Sequence, residues 1–178
     1  PFAIKGAIWY QGESNENRAV EYAGLLPAMI QDWRAHWGQG DFPFLVVQLA
    51  NHHAEPDKPG DSPWAELREA QMAALTLPNT AVAAAIDIGE ADDIHPKNKL
   101  EVGRRLGLAA RKVAYGEDMA HTGPVYQSMK IEGGNIRITF KPTGGDLVSK
   151  DKNGQVKGFS IAGGDKQFHR AMGYLDGD

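Results

Sequence analysis

The chain has no cysteine and no long hydrophobic run, and each absence excludes a class of protein. Without cysteine there are no disulfides, no thiolate nucleophile and no thiolate metal ligands. The apolar stretches are far too short to cross a bilayer. There is also no long basic tract of the kind that binds nucleic acid or an anionic membrane surface. The sequence therefore predicts neither a nucleic-acid partner nor a membrane partner.

What remains is the composition of a globular chain. Its 178 residues are 42% hydrophobic and 24% charged, with a net charge of −4. This is enough for one ordinary domain, or one domain with a small appendage. The first residues enter an apolar strand without an initiator methionine, and the last ones end in a turn. We therefore expect a fragment of a longer protein.

Residues 1–120 alternate strand and helix signals and predict an α/β domain. Such alternation implies right-handed crossovers and a parallel sheet with helices on both faces, a three-layer α/β/α sandwich. Three strands are few for such a sheet, which favours a missing N-terminal part. The predicted strands and helices cover residues 7–10, 17–37, 44–49, 62–77, 80–87 and 98–115.

The first predicted helix has an apolar stripe with three- and four-residue spacing, which indicates one buried face. Pro27 lies within this pattern and is expected to kink the helix or split it in two. The stripe consists of Val20, Ala23, Leu26, Ile30, Trp33 and Trp37.

Residues 121–178 change to a strand-like period and predict a small antiparallel β module, joined to the first part by a linker near 115–124. Residues 125–131 are expected to pair with 135–140 across Gly133 and Gly134. The segment 151–154 ends in Asn-Gly and is typical of a hairpin turn, with 156–162 as the return strand.

Polar clusters follow each of the three predicted parallel strands, in the loops 11–15, 51–61 and 87–95. The carboxyl ends of parallel strands lie at the same edge of a sheet, where ligands bind. The three clusters are therefore expected to form one site.

The segment Asp92-Asp93-Ile94-His95-Pro96 carries the strongest catalytic signal. Histidine exchanges a proton near neutral pH, and a neighbouring carboxylate can orient its ring and stabilise the imidazolium. This pair would form the base half of a hydrolytic triad. The alternative interpretation is a helix-start loop in which aspartate only caps.

The loop after the first strand, Gln11-Gly12-Glu13-Ser14-Asn15, suggests an oxyanion hole. A glycine lets a backbone N–H approach a developing oxyanion, and an amide side chain adds a second donor. Ser14 is a candidate nucleophile, but its larger neighbours do not fit a nucleophile elbow, and capping is the simpler role. The nucleophile is therefore expected outside this chain.

Several motifs in this order make nearly the whole chain similar to the sialate O-acetylesterase branch of the SGNH-type hydrolases. That resemblance implies a parallel three-layer α/β sandwich, followed by a β region. It also implies metal-free and cofactor-free hydrolysis of O-acetyl esters on sugars. The motifs are the segments 9–15, 93–99, 102–106, 123–126 and 158–163.

The resemblance also implies roles for individual residues. His95 becomes the general base; the superfamily's spacing selects Asp92 as the triad acid, and the Asp-Ile-His-Pro run selects Asp93. Gln11 and Gly12 match the oxyanion loop, which Asn15 would help to hold. The family's serine lies in an upstream Gly-Gln-Ser-Asn-like motif that this chain lacks. The missing segment, or another chain, would then complete the sheet.

The substrate implied by the resemblance is an acetylated carbohydrate, with a periplasmic or extracellular location. We expect Trp64, His52 and Glu13 as substrate contacts, with core, surface and helix-start roles as their alternatives. His52 and His53 lie near Glu55 and Asp57, but nothing fixes them as metal ligands, and no metal site is predicted. The alternative function is a non-catalytic carbohydrate-binding or structural fragment of such an enzyme.

Overall fold

The computed structural model describes residues 2–141 and 145–176 and divides the chain into two compact units. The first unit comprises the chain up to Ala54 together with Ser62–Gly123. The second comprises Glu55–Asp61 together with the chain from Pro124 onward. Within the described residues, every helix is too short or too polar to span a membrane.

The first unit contains a three-stranded parallel sheet in the order β1-β2-β3, which confirms the predicted parallel topology. A helix follows each strand along the chain, and β2 lies at the centre of the sheet. The strands and helices are β1 (Ala7–Trp9), α1 (Ala19–Trp37), β2 (Phe44–Val47), α2 (Pro63–Gln71), β3 (Thr80–Ala83) and α3 (Lys99–Tyr115).

The two faces of β2 pack against different helices. Phe44 and Val46 belong to a core cluster built with α1 and α2. Leu45 and Val47 alternate with them and pack against residues of α3. All four side chains are buried, as expected for a central parallel strand covered on both faces. The predicted three-layer sandwich is confirmed.

The buried side of α1 differs from the predicted stripe. Tyr22 and Arg34 are buried together with Leu26 and Ile30, whereas Val20 is 90% exposed. The buried residues recur at intervals of four, so they lie along one narrow line of the helix. The prediction of a break at Pro27 was also wrong, because α1 runs as one helix with Pro27 inside it.

The predicted helix starts agree with the caps of α2 and α3. The Ser62 hydroxyl accepts the Ala65 N–H at 3.3 Å, and the Asn98 amide oxygen accepts the Glu101 N–H at 3.1 Å. Helix α3 ends at Gly116, whose φ of 72° suits glycine. Helix α2 is shorter than predicted, because its last part is a 3₁₀ helix over Met72–Thr76.

The second unit contains two separate antiparallel pairs of strands. The predicted first hairpin is confirmed. The turn at 151–154 is present, since the Gly154 N–H donates to the Asp151 carbonyl at 3.1 Å. Its predicted role as a hairpin was wrong, because the strand after it pairs with a later strand. The strands are β4 (Val125–Glu132), β5 (Asn135–Lys141), β6 (Gln155–Ile161) and β7 (His169–Tyr174).

An arginine on β7 binds the short segment Glu55–Asp61 within the second unit. The Arg170 guanidinium donates to the Glu55 carboxylate at 2.6 Å and to the Pro56 carbonyl at 2.9 Å. The hydrogen bond from Arg170 is the main reason that the pKa of Glu55 is lowered. This segment is therefore held by charge-assisted hydrogen bonds.

Candidate active site

The loops that follow the three parallel strands contact one another. The His53 N–H donates to the Ala91 carbonyl at 3.0 Å, and the His53 ring nitrogen lies 3.5 Å from the Glu16 carboxylate. The Asn51 side-chain oxygen accepts the Gly89 N–H at 2.7 Å. Two hydrogen bonds and one histidine–carboxylate contact thus join the loops after β1, β2 and β3.

A cleft of about 470 Å³ opens between the loop after β1 and the loop that enters α3. It brings Glu13 and Ser14 of the loop after β1 next to His95, which is more than 80 residues away in sequence, whereas Gln11, Gly12 and Asn15 do not line it. Its walls are formed by Tyr10, Glu13, Ser14, Ile94, His95, Pro96 and Lys99.

His95 projects into this cleft from an anchored backbone. Its neighbour Ile94 packs against the main core cluster, and Pro96 on the other side is buried. The His95 side chain is 81% exposed. The loop is therefore fixed at two points, while the imidazole between them remains accessible to a substrate.

Asp93 holds the backbone of the same loop. One of its carboxylate oxygens accepts the His95 N–H at 2.9 Å and lies 3.7 Å from Nδ1 of the His95 ring. The second distance is an ion-pair contact that is too long for a hydrogen bond. The backbone hydrogen bond is the main cause of the lowered pKa of Asp93, with Lys97 adding to it. Asp92 is exposed, and its carboxylate makes no hydrogen bond or ion pair within the described residues.

Gln11 is held at both its backbone and its side chain. The Tyr22 hydroxyl lies 3.1 Å from the Gln11 carbonyl oxygen and 3.1 Å from its side-chain oxygen. The Gln11 amide nitrogen donates to the Asn15 side-chain oxygen at 3.0 Å. A primary amide has two N–H groups, so one donor remains for a ligand. The Asn15 side chain is thus bound within the loop to Gln11.

Gly12 occupies a position that only glycine fits well. Its φ is 151°, and a Cβ there would lie 3.2 Å from the Gln71 amide nitrogen. The Gly12 N–H donates to the Glu13 carboxylate at 2.9 Å. A substrate oxyanion bound at this amide would have to displace that carboxylate.

Gln71 is a buried positioning residue that the sequence analysis missed. It is 0% exposed, its side-chain oxygen accepts the Leu49 N–H at 2.8 Å, and its nitrogen donates to the Gln11 carbonyl at 3.0 Å. It lies four residues after the fully buried Leu67 in α2, and that spacing was the available signal. An analysis of apolar periodicity does not look for glutamine on a buried face.

Two of the predicted substrate contacts, Trp64 and His52, do not line this cleft. Trp64 is 4% exposed and donates its indole N–H to the Ala50 carbonyl at 2.7 Å. Its ring lies 5.1 Å from that of His52, whose Nδ1 is buried without a hydrogen-bond partner. Little of the Trp64 ring is thus left for a sugar. Of the three predicted contacts, Glu13 is the one that lines the cleft.

Ser14 lines the cleft but is not activated in this structure. Its hydroxyl makes no hydrogen bond within the described residues, including to His95. A serine nucleophile needs a base within hydrogen-bond reach. The same residues contain no group of three or more acidic, histidine or cysteine side chains that could hold a metal ion.

The histidine loop and the loop after β1 meet at the strand ends of a parallel sheet, the edge at which α/β proteins bind their ligands. Comparison with known families gives a more specific result. Residues 2–112 match the model of the carbohydrate esterase family described as sialic acid-specific acetylesterase. Because the match covers more than half of the chain, the chain belongs to this family.

Individual relatives agree with the family assignment. The chain is 35% identical to human sialate O-acetylesterase and 38% identical to the mouse protein, with 77% of the chain covered in each case. A crystal structure of a carbohydrate acetylesterase from Xanthomonas citri covers 100% of the chain at 49% identity, with a TM-score of 0.92. The SGNH-hydrolase-like fold is therefore confirmed.

The chain is much shorter than these relatives. It spans 30% of the human protein and 29% of the mouse protein. It likewise covers 41% of the Xanthomonas chain. Family and fold are thus established, while the activity, the substrate and the roles of single residues are matters for proposal.

Proposed function

We propose that this chain supplies the general base and the oxyanion loop of a carbohydrate esterase that removes O-acetyl groups from sugars, with sialate as the first candidate. The observation that carries the proposal is the shared cleft, in which His95 lies beside Glu13 and Ser14 of the loop that also contains Gln11 and Gly12. The family match and the names of the relatives support the same chemistry.

The proposed reaction is acyl transfer through an acetyl-enzyme. A serine hydroxyl attacks the acetyl carbonyl while His95 takes its proton, and the carbonyl oxygen becomes an oxyanion. The Gly12 N–H and the remaining Gln11 amide N–H stabilise that oxyanion. His95 then protonates the departing sugar oxygen. Water attacks the acetyl-enzyme by the same route and releases acetate.

We place the nucleophilic serine outside this chain. Ser14 makes no hydrogen bond to His95, and it lies in a 3₁₀ helix rather than at a strand-to-helix elbow. Strand β1 is an edge of the sheet in the described residues, and its Ile8 side chain is 65% exposed. A further segment or chain that pairs with β1 would cover Ile8 and bring the serine to the cleft.

The other residues receive supporting roles. Either Asp92 or Asp93 orients the His95 ring, and Glu13 and His52 contact the sugar. All of these residues lie within 1–120, which we assign to the catalytic domain. We assign 121–178 to a β-rich module that carries no catalytic group.

The first test is hydrolysis of p-nitrophenyl acetate by the natural polypeptide that contains residues 1–178. We expect His95→Ala to lower kcat/KM by about 10²–10⁴-fold, the usual contribution of a general base. The matched control is Ser14→Ala, which removes the hydroxyl of the serine that lines the same cleft. It should stay within about threefold of the parent, because an exposed hydroxyl that makes no hydrogen bond contributes little.

Two outcomes would overturn the proposal. Equal loss in His95→Ala and Ser14→Ala would make Ser14 the nucleophile. An unchanged rate in His95→Ala would place the base elsewhere and favour a non-catalytic, carbohydrate-binding role for this chain. The isolated 178-residue chain should show no ester hydrolysis above background, since the proposal places the nucleophile outside it.

A further inference from the structure

One wall of the cleft carries a cation that no carboxylate neutralises at short range. The Lys99 ammonium lies 5.2 Å from the centroid of the Tyr10 ring, within the range of a cation–π contact. Lys99 forms no ion pair within 4 Å among the described residues, although its charge helps to lower the pKa of Asp93. Lys97 differs, because its ammonium lies 3.9 Å from the Asp93 carboxylate.

Tyr10 adds a neutral donor beside this cation. Burial, with a further contribution from the charge of Glu13, raises the pKa of Tyr10 to about 12, so its hydroxyl stays protonated at neutral pH. Within the described residues that hydroxyl makes no hydrogen bond through its oxygen or its proton. Lys99 and Tyr10 therefore present an ammonium and an O–H on the wall of the cleft that also contains His95.

An ammonium with a neighbouring O–H donor matches a carboxylate, which accepts hydrogen bonds at both oxygens. Glu13, the carboxylate that lines the same cleft, is held at the Gly12 N–H and forms no ion pair with Lys99. The cation–π contact uses one side of the ammonium and leaves other N–H groups for a ligand. The wall is therefore suited to an anionic group of a substrate.

We propose that Lys99 and Tyr10 form a subsite for the carboxylate of an acidic sugar whose acetyl ester lies at His95. This inference rests on the proposed function and assigns the residues that would distinguish an acidic sugar such as sialate from a neutral acetylated sugar. A neutral acetylated sugar would lack the partner for Lys99 and would bind less tightly.

Product binding tests this subsite without requiring turnover. Isothermal titration calorimetry would compare N-acetylneuraminate with its methyl ester, which differs only in the masked carboxylate, on the natural polypeptide that contains residues 1–178. We expect the acid to bind roughly five- to tenfold more tightly, the size of one charge-assisted contact. The preference should shrink as salt is raised, because the pair is exposed to solvent.

Matched variants locate the effect. Lys99→Met keeps the unbranched stem and should abolish the preference for the acid, whereas Lys99→Arg should retain most of it. Lys97→Met removes a charge two residues away and should leave the preference unchanged. Tyr10→Phe should reduce the preference by about twofold to fivefold, the loss of one hydrogen bond.

Equal affinities for acid and methyl ester, or an intact preference in Lys99→Met, would overturn the subsite. The same result in a polypeptide whose p-nitrophenyl acetate hydrolysis depends on His95 would leave the proposed esterase function standing. Hydrolysis that does not depend on His95, together with an intact preference for the acid, would overturn the proposed esterase function and leave the subsite standing. The two proposals can therefore fail separately.

Discussion

The Gln71 side chain donates a hydrogen bond to the Gln11 carbonyl at 3.0 Å and so ties the end of α2 to the loop after β1. Its side-chain oxygen accepts the Leu49 N–H at 2.8 Å, so the same amide also binds the backbone just after β2. Because Gln71 is fully buried, no water can replace these bonds. One side chain thus joins α2, the loop after β1 and the chain that follows β2.

The first prediction concerns this buried amide. Gln71→Met keeps the side-chain length but leaves the Leu49 N–H without a partner and removes one of the two hydrogen bonds to the Gln11 carbonyl. We expect the free energy of unfolding to fall by about 2–4 kcal/mol, since an unsatisfied buried group costs about 1–3 kcal/mol. Urea denaturation followed by circular dichroism measures this change.

Gln48→Met is the matched control for this prediction. Gln48 is partly buried and makes one side-chain hydrogen bond, to the Arg68 carbonyl at 3.0 Å. Its loss should cost no more than about 1.5 kcal/mol. Equal destabilisation by the two substitutions would show that Gln71 has no special structural role.

The second prediction concerns Arg34, which is 5% exposed inside the first unit. Its guanidinium donates to the Phe42 carbonyl at 2.8 Å and to the Pro78 carbonyl at 2.8 Å. Burial lowers its pKa, yet arginine remains charged and needs these acceptors. Arg34→Lys should lower the free energy of unfolding by about 2–4 kcal/mol, because an ammonium cannot reach both carbonyls.

The control for Arg34 is Arg104→Lys on the exposed side of α3. Arg104 pairs with Glu101 three residues earlier, in contact with solvent. Thermal or urea unfolding of this variant should stay within about 0.5 kcal/mol of the parent. A tolerated Arg34→Lys, equal to this control, would contradict the proposed role of the buried guanidinium.

Sequence patterns predicted the elements of this fold better than they predicted its polar core. Helix α3 was predicted over 98–115 from its helical pattern, and the structure has it over Lys99–Tyr115. The α1 stripe was partly wrong because Arg34, a charged residue, takes a buried position that the pattern assigns to apolar residues. Gln71 was missed for the same reason. Both side chains are stabilised by carbonyl and amide groups far away in sequence, which periodicity cannot reveal.

For the candidate site, too, the sequence predicted some features and not others. The loop sequences around Gln11 and His95 predicted which segments meet, because the ends of parallel strands share one edge of the sheet. They could not predict that the Gly12 N–H is occupied by Glu13, or that Trp64 is buried. These contacts depend on side-chain packing. The prediction of a hairpin at 151–154 was wrong because a turn sequence determines the local reversal of the chain but not which strand pairs with the next one.

The third prediction concerns the ionisation of Glu101 in α3. Hydrogen bonds from Arg104 and then Arg105 lower the pKa of this carboxyl to about 2. A lowered pKa in the folded state means that the stabilising contribution is present above the ordinary value near 4.5 and is lost as the pH falls through about 2. Carbon-detected NMR titration of the carboxyl measures this midpoint.

Variants separate the two arginines. Arg104→Met should raise the pKa of Glu101 more than Arg105→Met does, because Arg104 makes two short contacts, at 2.6 and 2.8 Å. Both variants should move the midpoint toward the ordinary value. A midpoint that stays near 2 in Arg104→Met would show that Arg105 alone sets the charge of Glu101.

The last prediction decides which carboxylate orients His95. The spacing of three residues before the histidine favours Asp92, whereas the structure places the Asp93 carboxylate 3.7 Å from the ring. Asp93 already accepts the His95 backbone N–H, which is a loop-holding role. We therefore expect Asp92→Asn to lower kcat/KM for an acetyl ester by about 10²–10⁴-fold, while Asp93→Asn costs about tenfold or less.

Two further measurements distinguish the roles of Asp92 and Asp93. They are the pH dependence of the rate and the hydrogen exchange of the loop that contains His95. Loss of the triad acid should reduce the rate at all pH values, since the histidine loses the group that fixes its tautomer. Loss of the loop-holding carboxylate should instead speed hydrogen exchange at the His95 amide. If Asp93→Asn gives the large fall in rate and Asp92→Asn the small one, Asp93 is the triad acid, and its ring contact shortens to a hydrogen bond when substrate binds.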